Sequence, residues 1–157
     1  MNKSGLSMIS MIIYVVLFFV FSAFAVSLSS NINYQTLSQK GLVYSNEQLQ
    51  KLQYNMLFSA KNSISIDNIS GKIVFSNNDE YTYDSTNKKI YKNGGVLVSE
   101  VESFNIIDVS SLANVPDNFV RDLDSTIDNL CVEVKFKKYG SEVSSQIFVS
   151  AGDGLNV

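Results

Sequence analysis

Met8–Val26 reads MISMIIYVVLFFVFSAFAV, and these 19 residues decide how the rest of the chain is understood. Only Ser10, Tyr14 and Ser22 put polar atoms into the run. At ~1.5 Å of rise per residue, a helix of this length covers the hydrocarbon thickness of a bilayer. A helix apolar all round belongs in lipid or in the core of a large assembly. A chain of 157 residues has too little else to build such a core itself. The uncharged stretch extends further, since nothing between Lys3 and Lys40 carries a charge.

Helical patterning continues past the apolar run. Residues 42 to 66 hold no Gly or Pro, and Leu42, Leu49, Leu52, Met56, Ala60 and Ile64 recur at spacings of seven, three and four, with Leu57 beside them. That spacing predicts an amphipathic helix with one apolar face. Lys40, Glu47, Gln48, Lys51 and Lys61 occupy the other face. The N-terminal half therefore reads as one long helix, lipid-buried first and one-sided after. Its weak points are Ser27–Asn33 and Gly41, because an interior Gly costs about 1 kcal/mol relative to Ala. A break at either point would leave an anchor followed by a separate helix.

Beyond Asn68-Ile69-Ser70-Gly71, read as a turn, the period becomes alternating. Short strands are expected at Ile73-Val74-Phe75, Glu80-Tyr81-Thr82-Tyr83, Lys89-Ile90-Tyr91-Lys92, Val96-Leu97-Val98 and Val101–Val109. Asn93-Gly94-Gly95 is a hairpin turn signal. Leu130, Val132, Val134 and Phe136 alternate with Cys131, Glu133, Lys135 and Lys137, and after Tyr139-Gly140-Ser141 the stretch Ser145–Ser150 keeps Ile147 and Val149 in phase. An antiparallel meander with one apolar face needs a cover, and the amphipathic helix supplies it. The expected fold class is α+β: a long N-terminal helix, transmembrane then amphipathic, packed on a small antiparallel sheet.

The composition narrows the function. The net charge is -3, there is no His and no Trp, and 14 of the 15 acidic residues lie beyond residue 60. No basic patch suggests nucleic acid, and no nucleic-acid contact is expected. Without His the commonest acid/base group and transition-metal ligand are missing. No nucleophile–base pair, phosphate loop or cofactor motif is visible, so the chain is read as a non-enzyme with no catalytic residues, no cofactor and no metal. Asp108, Asp117, Asp122, Asp124 and Asp128 surround a single Arg121. Clustered carboxylates can bind Ca²⁺, but no EF-hand spacing is present. Phe119, Val120, Leu123 and Ile127 fall at helical spacing, which puts the acids on the wet side of a short helix. Cys131 is the lone cysteine and falls on the polar phase of its strand, so a structural or idle thiol is expected. Tyr81, Tyr83 and Tyr91 read as strand residues.

The leader admits three readings. Ser22-Ala23-Phe24-Ala25 ends in an A-x-A-like site, which with Lys3 allows a secretory signal cut after Ala25. A plain signal anchor is the second reading. In the third, Lys3-Ser4-Gly5 followed directly by Leu6-Ser7-Met8-Ile9 resembles the processing site of type IV prepilins and the related pseudopilins. That resemblance implies cleavage between Gly5 and Leu6 by a prepilin peptidase, with the apolar helix retained. The family usually carries Glu where Ser10 stands, Phe where Leu6 stands, and a proline in the apolar helix, whereas the sole proline here is Pro116.

Farther along, Tyr81, Tyr83, Asp84, Lys88 to Gly94, Val101, Ser103, Phe104 and Val132 to Phe136 make the order of segments similar to that of J-type minor pseudopilins and competence-pilus minor pilins. The resemblance implies a leader at 1–5, a transmembrane and assembly helix at 6–30, and an extracytoplasmic pilin-like domain at 31–157. It implies partners among other pilin or pseudopilin subunits and residence in the cell membrane before assembly into an extracellular filament. Within the family, a buried Glu near the mature N-terminus pairs with the terminal amine of a neighbouring subunit. Ser10 cannot offer that charge, which suits a rare subunit at the tip or in an initiating complex. The alternative is a membrane-anchored or secreted extracytoplasmic binding domain.

Overall fold

One helix, α1, runs without interruption over Lys3–Lys61. The computed structural model describes residues 3–107 and 129–152. Neither Ser27–Asn33 nor Gly41 breaks the helix. The chain divides into two units, Met1–Gln39 and Lys40–Val157. The first is α1 alone, and its apolar side chains from Met8 to Phe24 are exposed. This stretch is long and apolar enough to cross a membrane. Its polar side chains are satisfied locally where it leaves the apolar run: Ser30 Oγ donates to Val26 O at 3.1 Å and Thr36 Oγ1 to Ile32 O at 2.8 Å.

In the second unit α1 packs on antiparallel strands. Five form one sheet in sequence order: β1 (Ile66–Ile69), β2 (Lys72–Phe75), β3 (Glu80–Asp84), β4 (Lys89–Lys92) and β5 (Gly95–Ser99). Three form a second sheet in the order β6 (Val101–Ile107), β7 (Asn129–Lys138), β8 (Ser141–Ser150). The single expected meander is thus corrected to two sheets. Glu100 makes the division, at φ 62° between β5 and β6. A left-handed residue turns the chain out of the first sheet's plane. Val101 N–H donating to Lys88 O (3.0 Å) and Lys137 N–H donating to Glu100 O (3.1 Å) tie the sheets together at that point.

Three hairpins close on two-residue turns in which both central residues have positive φ: Ser70-Gly71, Asn93-Gly94 and Tyr139-Gly140. Turns of this hand match the strand twist, which is why Gly stands second in each. β1 takes up Asn68 and Ile69, which the sequence had assigned to the turn. Of the expected strand Val101–Val109, the part beyond Ile107 lies outside the described residues.

Leu52, Met56 and Ala60 of α1 share one core with Ile73, Phe75, Tyr81 and Ile90 of the first sheet and Val132, Val134, Phe136 and Ile147 of the second. Burying a side chain the size of Leu or Met contributes ~1.5–3 kcal/mol. Of the expected apolar face, Leu52, Met56 and Ala60 are buried and Leu49 packs half-buried against the core, but the remaining expected positions are exposed. Leu42, Leu57 and Ile64 are 41%, 44% and 70% exposed, while Gly41, Ser45, Ser59 and Ser63 are buried. The buried positions of α1 are Gly41, Ser45, Leu52, Met56, Ser59 and Ala60, with Leu49 half-buried among them and Ser63 buried just past the end of the helix. At Gly41 a residue without a Cβ is required because the β7–β8 hairpin approaches the helix closely there.

Candidate functional site

The residues implied in assembly lie on α1. Gly5 and Leu6 fall in its opening turns, and Ser10 is exposed one turn further on. No charged side chain follows Ser10 until Lys40.

The other end of α1 carries a polar cluster that the sequence did not announce. Ser59 Oγ lies 2.6 Å from Asp79 Oδ2 and 2.7 Å from Tyr81 OH. Ser59 has one hydroxyl proton and gives it to the carboxylate, so the Tyr81 hydroxyl is the donor to Ser59. Lys92 Nζ reaches Asp79 Oδ2 at 2.9 Å and Ser59 Oγ at 3.1 Å, and it lies 5.5 Å from the Tyr81 ring centre. Asn93 Nδ2 holds the second carboxylate oxygen at 2.9 Å. Asn77, from the turn before β3, donates to Ser59 O at 3.3 Å.

Burial opposes ionisation of Asp79. The hydrogen bonds from Ser59, Asn93 and Lys92, with the Lys92 charge, outweigh it and hold the carboxyl at about 2. Burial likewise opposes the Lys92 charge, but Asp79 and Tyr81 raise its pKa. Burial raises Tyr81. A serine beside a lysine resembles a nucleophile–base pair, yet that chemistry needs a neutral amine. Here the amine is held charged, and Ser59 is fully buried. The cluster works as a clamp joining α1 to β3 and β4.

A second junction lies nearer the middle of α1. Gly41 faces the β7–β8 hairpin so closely that a Cβ there would collide with the carbonyl oxygen of Lys138 and stand 3.3 Å from Ser141 Cβ. Tyr44 OH meets Ser99 Oγ at 2.7 Å, Ser99 N–H donates to Gln48 Oε1 at 3.2 Å, and Lys138 Nζ sits 3.6 Å over the Tyr44 ring. Gly41, read in sequence as a weakness of the helix, is the residue that lets the hairpin dock.

Cys131 fits the expected idle thiol but not the outward position its strand phase suggested. It is fully buried although it lies on the polar phase of β7. Its cross-strand neighbours are Ile107 and Phe148, an aliphatic and an aromatic residue. Burial, then the nearby Glu133 charge, pushes the thiol up, which disfavours reactive thiolate. Tyr81 is a core residue, and Tyr83 OH donates to Val101 O and Glu102 O, each at 3.1 Å. The acidic stretch Asp108 to Asp128, with Arg121 and the expected short helix, lies outside the described residues. Among the described residues no cluster of three potential metal ligands occurs.

The signal for the Ser59 clamp was present but ambiguous. Ser45, Ser59 and Ser63 keep helical phase with Leu52 and Met56, which marks a contact stripe containing small residues. Asn93 carries only a turn signal in the sequence, and nothing local to Asn77 or Asp79 points to Ser59. No protein-family model matches the chain, nor does any curated protein or solved structure.

Proposed function

We propose that this chain is a minor pilin-like or pseudopilin-like structural subunit of a type IV pilus, competence pilus or type II secretion-type filament, placed at the tip or in the initiation complex. The observation that carries the reading is the uninterrupted α1, exposed and apolar in its first unit and one-sided against antiparallel sheets in its second. A helix of this kind serves two environments. Its apolar part resides in lipid before assembly and lies against other apolar helices afterwards. Its second part carries the sheets. In this reading residues 1–5 are cytoplasmic, the chain crosses the membrane once, and the Lys40–Val157 unit lies outside the cytoplasm.

Ser10 supports the tip or initiator role. A charge unpaired in lipid is costly, so a Glu at this point would demand a partner amine. Ser10 makes no such demand, while the mature amine can still answer another subunit's Glu. The partners are other pilin or pseudopilin subunits, a prepilin peptidase and the membrane.

A second reading is favoured by Ser22-Ala23-Phe24-Ala25 and by the absence of Glu at Ser10: a membrane-anchored or secreted extracytoplasmic binding domain. Intact mass of the protein from its native membrane separates them. The pilin reading expects residues 6–157, with or without one added methyl, and expects Gly5→Leu to block the cut. A mature start at Val26 establishes the secretory reading instead.

A further inference from the structure

We propose that Asn93 is a site of spontaneous deamidation gated by the clamp: the closed junction shields its carboxamide, and opening of the junction commits it to a product around which the clamp cannot re-form. Asn93 and Gly94 are the two central residues of the β4–β5 turn, with φ of 51° and 78°. An Asn followed by Gly is the most reactive kind of side-chain amide, because the next backbone nitrogen has no neighbouring Cβ to hinder its approach. No other Asn in the chain precedes a Gly. In the reaction the Gly94 nitrogen, having lost its proton to hydroxide, forms a bond to Asn93 Cγ. The Cγ–Nδ2 bond breaks, and ammonia leaves after taking a proton from water. Water then opens the cyclic imide at either carbonyl, which gives Asp or, with the chain rerouted through the side chain, isoaspartate. Water enters, ammonia leaves, and nothing is oxidised or reduced.

Sterics do not protect this step. Asn93, Gly94, Gly95 and Val96 are exposed, and a Cβ built at Gly94 would meet nothing within 4 Å. The protection comes from hydrogen bonds. Asn93 Oδ1 accepts from Glu80 N–H at 2.7 Å, Asn93 Nδ2 donates to Asp79 Oδ1 at 2.9 Å, and Asn93 N–H donates to Glu80 O at 2.9 Å. A carboxamide gripped at both ends cannot swing freely onto the Gly94 nitrogen. Ser59 and Lys92 hold Asp79 in turn, so the shield stands only while α1, β3 and β4 are together. Local opening of such a junction frees the amide without global unfolding. After conversion to Asp, a carboxylate oxygen faces Asp79 Oδ1 where an amide donor stood, and like charges at that distance repel. Isoaspartate also lengthens the backbone of a turn whose length and hand fix the β4–β5 register. None of this depends on the filament reading, because every residue involved lies in the Lys40–Val157 unit.

The test incubates the full chain in lipid nanodiscs at mildly alkaline pH and follows amide-to-acid conversion at Asn93 by peptide mapping and mass spectrometry. A blocked synthetic peptide spanning Lys89–Val98 serves as the unshielded reference. The folded chain should convert at least about tenfold more slowly than the peptide, the ratio that a modest local opening energy imposes. Asp79→Ala removes the acceptor of Asn93 Nδ2 and should bring the folded chain's rate most of the way to the peptide's. Lys92→Met weakens the clamp but leaves both Asn93 side-chain bonds, and should convert much more slowly than Asp79→Ala. Asn93→Asp, the product itself, should melt below the parent. The proposal is overturned if the folded parent converts as fast as the peptide, or if Asp79→Ala converts no faster than the parent. Equal acceleration by Lys92→Met would assign the loss to general unfolding and overturn the gating. An Asn93→Asp chain that melts at or above the parent would show that the junction tolerates the product, and would equally overturn it.

Discussion

The Ser59 hydroxyl donates to Asp79 Oδ2 at 2.6 Å, joining the last turns of α1 to the residue just before β3. Within its own turn the Asp79 carboxylate receives only Asn77 Nδ2, at 3.4 Å. Asp79 gains Ser59, Asn93 and Lys92 only when helix, β3 and β4 have come together.

This junction makes stability acid-sensitive. The folded Asp79 sits at about 2, below its ordinary value of 3.8. A depressed carboxyl contributes stability that is complete above the unfolded value and is lost as pH falls through the folded one. Denaturant unfolding should therefore lose roughly 2 kcal/mol from this group between about pH 4 and pH 2. Asp79→Asn should flatten that part of the pH profile. An unchanged slope in the variant would rule Asp79 out as the cause.

Gly41→Ala sets two effects against each other. The helix gains about 1 kcal/mol of propensity. Against it, the new Cβ meets the Lys138 carbonyl, which belongs to backbone and cannot rotate away. Overpacking of this kind costs ~1–3 kcal/mol, so the variant should melt lower than the parent, and Gly41→Val lower still. A higher melting temperature for Gly41→Ala would show that the hairpin yields freely.

Leu52→Asp or Met56→Asp should destabilise the second unit by roughly 3–5 kcal/mol, because each buries a carboxylate among apolar groups. Leu57→Asp should stay within about 0.5 kcal/mol of the parent, since Leu57 is exposed. Equal losses at positions 52 and 57 would mean that the contact stripe is misassigned.

Ser10 supplies the assembly prediction. With Ser10 in place, the protein should be scarce in any filament, and its deletion should reduce the number of filaments that start without altering the shaft repeat. Ser10→Glu should either draw it into the shaft or trap it with a wrong neighbour. Immunogold labelling that finds the wild-type protein abundant along purified filaments would end the tip or initiator assignment.

Much of this architecture is local and so was legible in the chain. Met8–Val26 needs no partner to be recognised as a lipid-length helix, because its hydrophobicity is carried by each residue alone. The turns at Asn93-Gly94 and Tyr139-Gly140 were visible because only a few residue types accept positive φ. The alternation from Leu130 to Phe136 declared a strand for the same kind of reason: its period belongs to the backbone.

What only tertiary structure decided is everything that depends on a partner distant in sequence. Periodicity placed Leu42 and Leu57 on the apolar face, but Gly41, Ser45 and Ser59 are buried instead, and at Gly41 the missing Cβ admits the Lys138 carbonyl. The alternation around Cys131 predicted an outward thiol, yet its cross-strand neighbours are Ile107 and Phe148 and it is buried. Glu100 divides one expected sheet into two. Ser59 finds Asp79 and Lys92 across 20 and 33 residues of chain. Secondary structure follows from short-range sterics and burial periodicity, which each residue carries with it. The pairing of polar groups follows from which surfaces meet, and that is determined only when the whole core packs.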